Sequence, residues 1–374
     1  MYRTTIAAAQ KIDSYSRRWN LIISDQYGHT VESQDGGIIS LNHSIETTSG
    51  AIVVGDVITQ NLIIELKTAD ADRLTLTKNT IISVSYEIVD TPGVIPMGRF
   101  RILKTQTSVD RVKINAKDFF YGLDEPYSSD LDYPTTIDKV IEEIAQWLGI
   151  RGYEVNFPFE PLYVYNSDRE LEPLYDKQGE QIFVKSERSS IVINQPLTDC
   201  NVAEALGYLI GLTGFMLIQD RSGRLSCVKP GKGRINIPYC INRDKADEPQ
   251  VYNYEQEVVI KGLKCTVDEN TVLSCVDDTL DDPDRQTIVM EFSNPLMTQE
   301  QFDTISVYYI GMVLRPALIE HRLGDPRLDV MDRIEYKTGH MEPGYTGIYD
   351  MIITALNYNF DGGLSCTVQS PDLY

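Results

Sequence analysis

Short runs of alternating apolar and polar residues dominate the first ~125 positions of the chain, and turn-forming residues separate them. This pattern is typical of antiparallel strands rather than of a parallel α/β sheet. The predicted strands lie at 19–24, 38–41, 51–54, 61–67, 80–86, 98–103 and 112–116. The first part of the chain is therefore predicted to be an antiparallel β-barrel or β-sandwich.

A similar pattern recurs near the C-terminus. The order of strand, Pro/Gly loop, strand, turn and strand occurs at 80–116, the N-terminal module, and again at 328–369, the C-terminal module. The strands of the second copy are predicted at 328–336, 347–353 and 364–369. Two related modules in one chain predict a duplicated barrel or sandwich, and duplication usually serves assembly geometry better than catalysis.

Helical periodicity marks the stretch between the modules and one segment beyond it. Three helices are predicted from a capping residue and its partner three positions later: Thr135 with Asp138, Asn201 with Glu204, and Thr298 with Gln301. Gly149 and Gly214 are the predicted stops of the first two. Further strands are predicted at 215–220, 225–228 and 258–267. A polar stretch at 160–195, with a hairpin at 176–180, is predicted to be an insertion because it is too long for a bare connection.

These patterns predict a mainly β protein with some α (α+β) and three domains. The domains are an N-terminal β-barrel over 1–126, a middle α+β domain with the polar insertion over 127–248, and a C-terminal β-barrel with one helix over 249–374. A charged, Pro-containing stretch at 242–250 sets the second boundary.

Composition narrows the function classes. The chain has 374 residues, 42% of them hydrophobic, which is enough for two or three cores. No apolar run approaches the ~20 residues of a membrane helix, and we expect no membrane insertion. The net charge of −21 argues against a protein that grips nucleic acid. The 6 Cys form no CxxC pair, so we expect reduced, mostly buried thiols.

Catalytic signals are weak. The 4 His have no zinc-ligand spacing, and neither GxSxG nor a P-loop is present; 230–234 is better explained as a turn. Cys200 precedes a predicted helix, whose dipole favours a thiolate. No His is local, however, and a small buried hydrophobic residue is the favoured interpretation. We expect no enzyme activity and no catalytic, cofactor-binding or metal-binding residues.

Two further groups have alternative interpretations. An acidic loop suggests calcium, but it lacks the spacing of an EF-hand, and a solvated loop is favoured. Its carboxylates are Asp277, Asp278, Asp281, Asp282 and Asp284. The 22 Tyr are interpreted as a mixture of contact surface and strand packing.

Several motifs, taken in order, resemble those of the baseplate hub proteins of bacteriophage tails. The motifs lie at 95–102, 114–118, 123–127, 134–136, 199–208, 220–225, 315–317, 324–334 and 361–366. The resemblance covers about 18–370. Members of this family also occur in siphophage tail tips and in phage-tail-like bacteriocins.

The resemblance implies a homotrimer in which two tube-like barrel domains per subunit form a ring. That ring would join a six-fold tail tube to a three-fold spike or tip. Expected partners are the tail tube, spike or tip, tape-measure and other baseplate proteins, with no specific nucleic acid and no cofactor. The expected location is the tail of a virion or tail-like particle assembled in the bacterial cytoplasm.

The resemblance and the residues leave three points open. Contacts between copies are expected around 98–102 and 347–353, and a lumen that is acidic or neutral would let DNA slide past. The first alternative function is a tail-associated peptidoglycan hydrolase. The second is a receptor-binding or carbohydrate-binding tail module, for which exposed aromatic residues in one cleft would be the distinguishing feature.

Overall fold

A computed structural model describes residues 18–47, 51–148, 159–161, 163–165, 171–173, 183–185, 191–228, 230, 239–242, 257–281, 285–321, 324–337 and 348–370. The strands are β1 Trp19–Asp25, β2 Thr30–Glu32, β3 Ile38–Thr47, β4 Val57–Lys67, β5 Ile81–Ile88, β6 Val94–Thr107, β7 Arg111–Lys117, β8 Thr135–Thr136, β9 Phe159–Pro161, β10 Tyr163–Tyr165, β11 Leu171–Pro173, β12 Phe183–Lys185, β13 Val192–Ile193, β14 Met216–Gln219, β15 Leu225–Val228, β16 Tyr239–Asn242, β17 Val258–Thr266, β18 Val272–Val276, β19 Gln286–Ser293, β20 Val313–Leu314, β21 Leu318–His321, β22 Arg333–Lys337, β23 Ile348–Ile352, β24 Ala355–Phe360 and β25 Leu364–Gln369. The helices are α1 Thr68–Ala71, α2 Ile137–Trp147, α3 Val202–Gly211 and α4 Gln299–Tyr309, and 3-10 turns lie at Phe119–Gly122 and Asp278–Leu280. The chain is mainly β with some α, as the sequence predicts.

One large sheet contains strands from both ends of the chain. Its order is β2-β1-β5-β6-β7-β4-β3-β24-β25-β21, and the β14–β15 hairpin joins it through a short parallel pairing of β14 with β4. The link between the two ends is the antiparallel ladder of β3 with β24, in which 41–46 pair with 355–360. The described strand pairings do not close into a ring.

The large sheet curls around an aromatic core. Alternate residues of β5 and β24 are buried, as expected for strands with one face towards the core. Tyr86 on β5 and Phe360 on β24 are not on neighbouring strands, yet their ring centroids are 6.2 Å apart. Phe100 and Tyr358 are fully buried in the same core. The sheet must therefore fold over so that its distant strands meet.

The C-terminal module is divided between two sheets. β24 and β25 belong to the large sheet, whereas β22 and β23 form a smaller sheet with β16. A third sheet contains β18, β17, β19 and β20, and α4 packs against it. The predicted domain boundaries remain a prediction. The hairpin at 176–180 and nearly all of the boundary stretch at 242–250 lie outside the described residues.

Most strands predicted from alternation are confirmed, and two predictions are wrong. Residues 51–54 form a turn rather than a strand, and Ile52 and Val54 are buried from that turn. Residues 328–332 form a turn with buried Leu328 and Val330, so that β22 begins only at Arg333. In both cases a short apolar run is buried in the core without pairing as a strand. The alternation of apolar and polar residues alone does not distinguish such a run from a strand. The sequence interpretation missed β24, the strand that joins the two ends.

The helix starts follow the predicted caps closely. Asn201 with Glu204 and Thr298 with Gln301 each form a reciprocal capping box, at the starts of α3 and α4. The cap of α2 is Thr136 rather than Thr135, because Thr135 pairs with Ile193 in a short ladder. Gly214 lies just beyond α3 with a φ of +71°, a conformation that suits glycine. The predicted stop at Gly149 is outside the described residues.

Helix α3 packs against other parts of the chain with almost no space between backbones. Gly207 and Gly211 face Gly55, which has a φ of +81° in the turn before β4. Asn294 Nδ2 lies against Gly211 and donates a 2.8 Å hydrogen bond to the Tyr208 carbonyl, next to Gly207. The Tyr309 hydroxyl on α4 donates to the Gly214 carbonyl at 3.1 Å. Helix α3 thus joins the N-terminal strands to the segment around α4.

The close approach at Gly55 predicts a large cost for a single methyl group. An alanine Cβ at this position would overlap the Gly207 carbonyl oxygen and lie 2.8 Å from Gly211 N. We expect Gly55→Ala to lose about 2–5 kcal/mol of unfolding free energy, because left-handed strain and overpacking add. Gly362→Ala is the matched control, since Gly362 also has a positive φ (+71°) but nothing lies within 4 Å of its Cβ position. Its expected cost is about 1–2 kcal/mol. Equal losses in urea denaturation would contradict the packing argument.

Candidate functional site: a buried polar junction

The turn between β14 and β15 is a rigid support for one arginine. The Asp220 carboxylate accepts hydrogen bonds from the backbone N–H groups of Ser222 (2.9 Å) and Arg224 (2.8 Å). Gly223 has a φ of +84°, and its N–H donates to the Asp220 carbonyl at 2.9 Å. This motif therefore fixes the direction of Arg221.

The guanidinium of Arg221 connects the hairpin to two other segments. Its Nε donates to Asp329 at 2.9 Å, and its Nη2 donates to the Leu328 carbonyl at 2.7 Å. Its Nη1 donates to the carbonyls of Pro326 (2.5 Å) and Pro96 (3.0 Å). The side chain is 11% exposed. A planar group with several fixed donors suits this divergent set of acceptors, whereas a lysine ammonium would not.

The β14–β15 hairpin covers the part of β6 that has a neighbouring strand on one side only. β6 pairs with β5 up to Arg101 and with β7 from Arg101 onwards, so the segment before Arg101 lacks β7 as a neighbour. Gln219 Nε2 donates to the Arg99 carbonyl at 2.5 Å, beside the contact of Arg221 with Pro96. Gly98, Phe100 and Ile102 are buried there. The stretch at 98–102, where the sequence suggested contacts between copies, therefore packs largely within the chain.

The loop at 324–332 is ordered by its own polar groups. Asp325 and Arg327 form a buried ion pair at 2.7 Å. The Asp332 carboxylate accepts from the Asp329 N–H at 2.8 Å. The Tyr358 hydroxyl on β24 donates to the Leu328 carbonyl at 2.7 Å, and burial raises the pKa of Tyr358 well above its ordinary value. The hydroxyl therefore remains a donor that joins the loop to the large sheet.

A second group of buried polar side chains continues the junction into the N-terminal strands. Gln60 Nε2 on β4 donates to the Gln219 carbonyl at 2.8 Å, so Gln60 Oε1 faces His43 on β3. His43 Nε2 lies 3.0 Å from that oxygen and must carry the proton. The Asp118 carboxyl accepts from the N–H groups of Gln60 (2.7 Å) and Phe120 (3.1 Å). Three parts of the chain thus meet in one hydrogen-bonded network.

Burial moves two pKa values of this network in directions that favour the neutral forms. Burial lowers the pKa of His43 to about 4; the hydrogen bond with Gln60 opposes this shift, and the positive charge of Arg221 reinforces it. Burial raises the pKa of Asp118 to about 7, against the effect of its two backbone hydrogen bonds. His43 is 0% exposed. It therefore cannot reach a substrate, and the network serves to join segments.

The candidate nucleophile Cys200 is unsuited to that role. The side chain is buried, and burial together with the charges of Glu204 and Asp199 raises the pKa of its thiol. Asn201, not Cys200, provides the cap of α3. The thiol is therefore protonated at neutral pH and behaves as a small core residue.

The described part of the acidic loop is bound by the chain itself. Asp277 accepts from the Thr279 N–H at 3.0 Å, and Asp281 binds Lys261 Nζ at 2.9 Å. Asp282 and Asp284 lie outside the described residues. So do His340 and positions 231–234 of the predicted turn at 230–234. Within the described residues, no group of three or more His, Cys, Asp or Glu side chains could hold a metal ion. No described helix is long and apolar enough to span a membrane.

A cleft of about 640 Å³ lies between the start of β1 and the turn that joins β24 to β25. Its lining includes Trp19, Phe360, Ser33 and Gln34. Trp19 is 9% exposed and Phe360 is 3% exposed. Their ring faces are covered by the core, so they do not offer the exposed aromatic platform that a sugar-binding cleft would need.

The sequence motifs contained Arg221 and Asp118, but the sequence interpretation gave them no role. His43, Gln60 and Gln219 were missed altogether. A signal for two of them exists, because His43 follows Leu41 and precedes Ile45 on the inward face of β3, and Gln60 holds the same kind of position on β4. A polar residue on the apolar face of a strand indicates a buried hydrogen-bond network.

Arg221 is predicted to contribute more to stability than any exposed arginine of its turn. Arg221→Met should cost about 3–5 kcal/mol, because Asp329 and three carbonyls lose a buried cationic donor. Arg224→Met is the control, since Arg224 is 39% exposed and pairs with Asp220 in the same turn. Its expected cost is below about 1 kcal/mol. Urea denaturation of both variants measures the difference, and similar midpoints would contradict the role of Arg221.

The two shifted pKa values predict opposite dependences of stability on pH. The folded pKa of His43, about 4, is below its unfolded value, so its contribution is present above pH ~6.5 and is lost as the pH falls through 4. The folded pKa of Asp118, about 7, is above its unfolded value, so its contribution is present below pH ~4 and is lost as the pH rises through 7.

Replacement of His43 should separate these two effects. We expect the stability difference between the native chain and His43→Gln to grow from pH 4 to 6.5, by up to about 1.4 kcal/mol per pH unit. Asp118→Asn should instead remove a fall in stability towards pH 7. Urea denaturation across this pH range measures both slopes. A pH-independent difference for His43→Gln would show that the imidazole is not held neutral by the fold.

Two solved structures share this fold over almost their whole length. One is the 43 kDa tail protein of prophage MuSo2 from Shewanella oneidensis, with 10% sequence identity and a TM-score of 0.50, covering 94% of this chain and 98% of that chain. The other is a tail protein from Neisseria meningitidis MC58, with 9% identity and a TM-score of 0.52, covering 95% of this chain and 97% of that chain. No protein-family model and no curated protein matches the sequence. The resemblance inferred from the sequence motifs is confirmed at the level of the fold: the chain has the fold of these two tail proteins.

Proposed function

We propose that the chain is a non-enzymatic structural component of a phage tail or phage-tail-like particle. The observation that carries this proposal is the fold shared with two tail proteins over 94–95% of the chain. The buried junction supports it, since its polar groups are used to join segments rather than to face a substrate. The protein would be assembled in the bacterial cytoplasm and reside in the tail of the finished particle.

The finer proposal is a hub that adapts one symmetry to another. Three copies form a ring that joins a six-fold tail tube to a three-fold spike or tip, because three chains with two related modules present six related surfaces. The ladder of β3 with β24 supports a rigid hub, since it ties both chain ends into one sheet. Proposed partners are the tube, spike or tip, tape-measure and other baseplate proteins.

The charge of the chain suits such a ring if DNA passes through it. With 55 acidic and 34 basic residues, the chain has enough carboxylates for a lumen that is net acidic or neutral. Such a lumen would repel the phosphates of DNA, whereas one lined with Lys and Arg would hold them.

The oligomeric state tests this proposal. We expect sedimentation velocity of the purified chain to give a species of three times the 42.3 kDa chain mass, alone or with its spike or tip partner. Class averages of that species by electron microscopy should show three-fold symmetry. A stable dimer or tetramer in both conditions would contradict the hub proposal.

A further inference from the structure

The sheet of β18, β17 and β19 has two outer edges that no strand of the described residues covers. β17 lies in the middle, pairs antiparallel with β18 and parallel with β19, and also contacts the short β20. No described strand pairs with the outer edge of β18 or of β19. These edges contain five and eight residues, whereas the end strands of the large sheet, β2 and β21, contain three and four.

The β18 edge carries none of the usual protection against pairing. Exposed edges are normally blunted by Lys, Pro, bulges or shortness. The sequence of β18 is Val-Leu-Ser-Cys-Val, with no charged residue and no proline. The alternate residues Val272, Ser274 and Val276 are exposed to solvent. β19 contains a single charged residue, Glu291. Edges of this kind act as templates for another strand.

The hydrogen-bond pattern identifies which backbone groups are available on β18. Asp277 N–H donates to the Lys261 carbonyl at 2.8 Å, and Val267 N–H donates to the Thr271 carbonyl at 2.9 Å. In an antiparallel pair the bonded residues alternate, so Leu273 and Cys275 also point their backbone groups at β17. The N–H and C=O groups of Val272, Ser274 and Val276 therefore point to the open edge.

The same alternation identifies the available groups on β19. Asn294 N–H donates to the Thr266 carbonyl at 3.0 Å, so the even-numbered residues at this end of β19 face β17. The backbone groups of Val289, Glu291 and Ser293 point outwards. Each edge thus offers three residues with free backbone donors and acceptors at matching spacing.

The two edges also have complementary directions. β18 runs opposite to β17, and β19 runs with β17, so β18 and β19 run opposite to each other. If a second copy is related by rotation about an axis along the strands, its β18 lies antiparallel to β19 of the first copy. Antiparallel pairing is the slightly more stable arrangement per residue. A contact between two different edges is heterologous and can close a ring.

The inner face of the sheet gives a second, independent reason for a neighbour. Leu273 and Cys275 on β18, and Ile288 and Phe292 on β19, are only partly buried although they face the core side. Phe292 stacks on Phe302 of α4, with ring centroids 6.5 Å apart. Pairing of β18 of one copy with β19 of the next would place these apolar side chains side by side. The parts of these side chains that are now exposed would then be shielded from water.

We infer that β18 of one copy pairs antiparallel with β19 of the next copy, so that this sheet continues from chain to chain around the ring. This inference rests on the proposed function for the number of copies. The strand that covers each open edge therefore belongs to a second copy of this chain. In the register that matches all outward groups, Ser274 of one copy lies opposite Glu291 of the next.

Proline at an outward position tests the pairing without disturbing the chain's own ladder. Ser274→Pro removes a donor that points away from β17, and proline is tolerated on such an edge. We expect the association constant of the copies to fall by about tenfold or more, with an unchanged circular dichroism spectrum. Ser274→Ala is the matched control and should associate like the native chain. Sedimentation equilibrium measures association, and circular dichroism checks the fold.

A disulfide trap gives a readout that does not depend on the proline variant. Residues opposite each other in a bonded antiparallel pair have Cα atoms about 5.5 Å apart, within the range of a disulfide. Treated with oxidised glutathione, which is reduced as each disulfide forms, a chain carrying Ser274→Cys and Glu291→Cys should therefore form a ladder of linked chains that ends at three on a non-reducing gel. Ser274→Cys alone, which keeps the native thiols, should not.

The outcomes separate this inference from the hub proposal. Trimers that persist in Ser274→Pro, with no disulfide ladder, overturn the edge pairing and leave the trimer intact. A ladder that continues past three chains supports the edge pairing and contradicts the trimeric ring. Native chains that stay monomeric both alone and with the spike or tip partner, with no ladder in either condition, overturn both.

Discussion

The guanidinium of Arg221 is almost excluded from water, and a buried charge destabilises a protein unless it is paired and hydrogen-bonded. This requirement shapes the surrounding structure. The loop at 324–332 must bring Asp329 and two carbonyls to the guanidinium, and β6 must present the Pro96 carbonyl on an edge that no described strand covers. The hairpin that carries Arg221 is in turn braced by Asp220. Segments far apart in the sequence are thereby held in one relative position.

Two other contacts act with Arg221 to limit movement. The β3–β24 ladder links the chain ends through backbone hydrogen bonds, which depend little on the identity of the side chains. The contact of Gly55 with α3 depends strongly on identity, because a single Cβ would fill the space. A structure that combines a sheet, a buried charge and a backbone contact has few ways to bend. A hub that must hold two modules at a fixed angle would need this stiffness.

Local patterns predicted the strands and helices well, and long-range contacts poorly. The capping boxes at Asn201 and Thr298 were predictable because all their atoms lie within one turn of chain. The turn at 328–332 was not, since its shape depends on Arg221 and Tyr358 from other segments. The pairing of β3 with β24 joins residues more than 300 positions apart, and the side-chain contacts across it, such as those of Asn42 with Asn357 and Asn359, leave no local pattern in either strand. The buried junction was likewise hidden, apart from polar residues on apolar strand faces.

Edge strands put stability and assembly in conflict. A sheet that ends in an unprotected strand risks unwanted pairing, and most chains remove that risk with short or charged edges. The large sheet follows this rule, with β2 and β21 as short end strands. The sheet of β18 and β19 does not, although one lysine on β18 would protect it at little cost to its fold. An unprotected edge is tolerable when a neighbour covers it soon after folding, and a ring of identical chains provides that neighbour at high local concentration. The proposed pairing of β18 with β19 of the next copy would account for the different treatment of the two sheets, because the large sheet would need protection in the single chain and the small sheet would be covered on assembly.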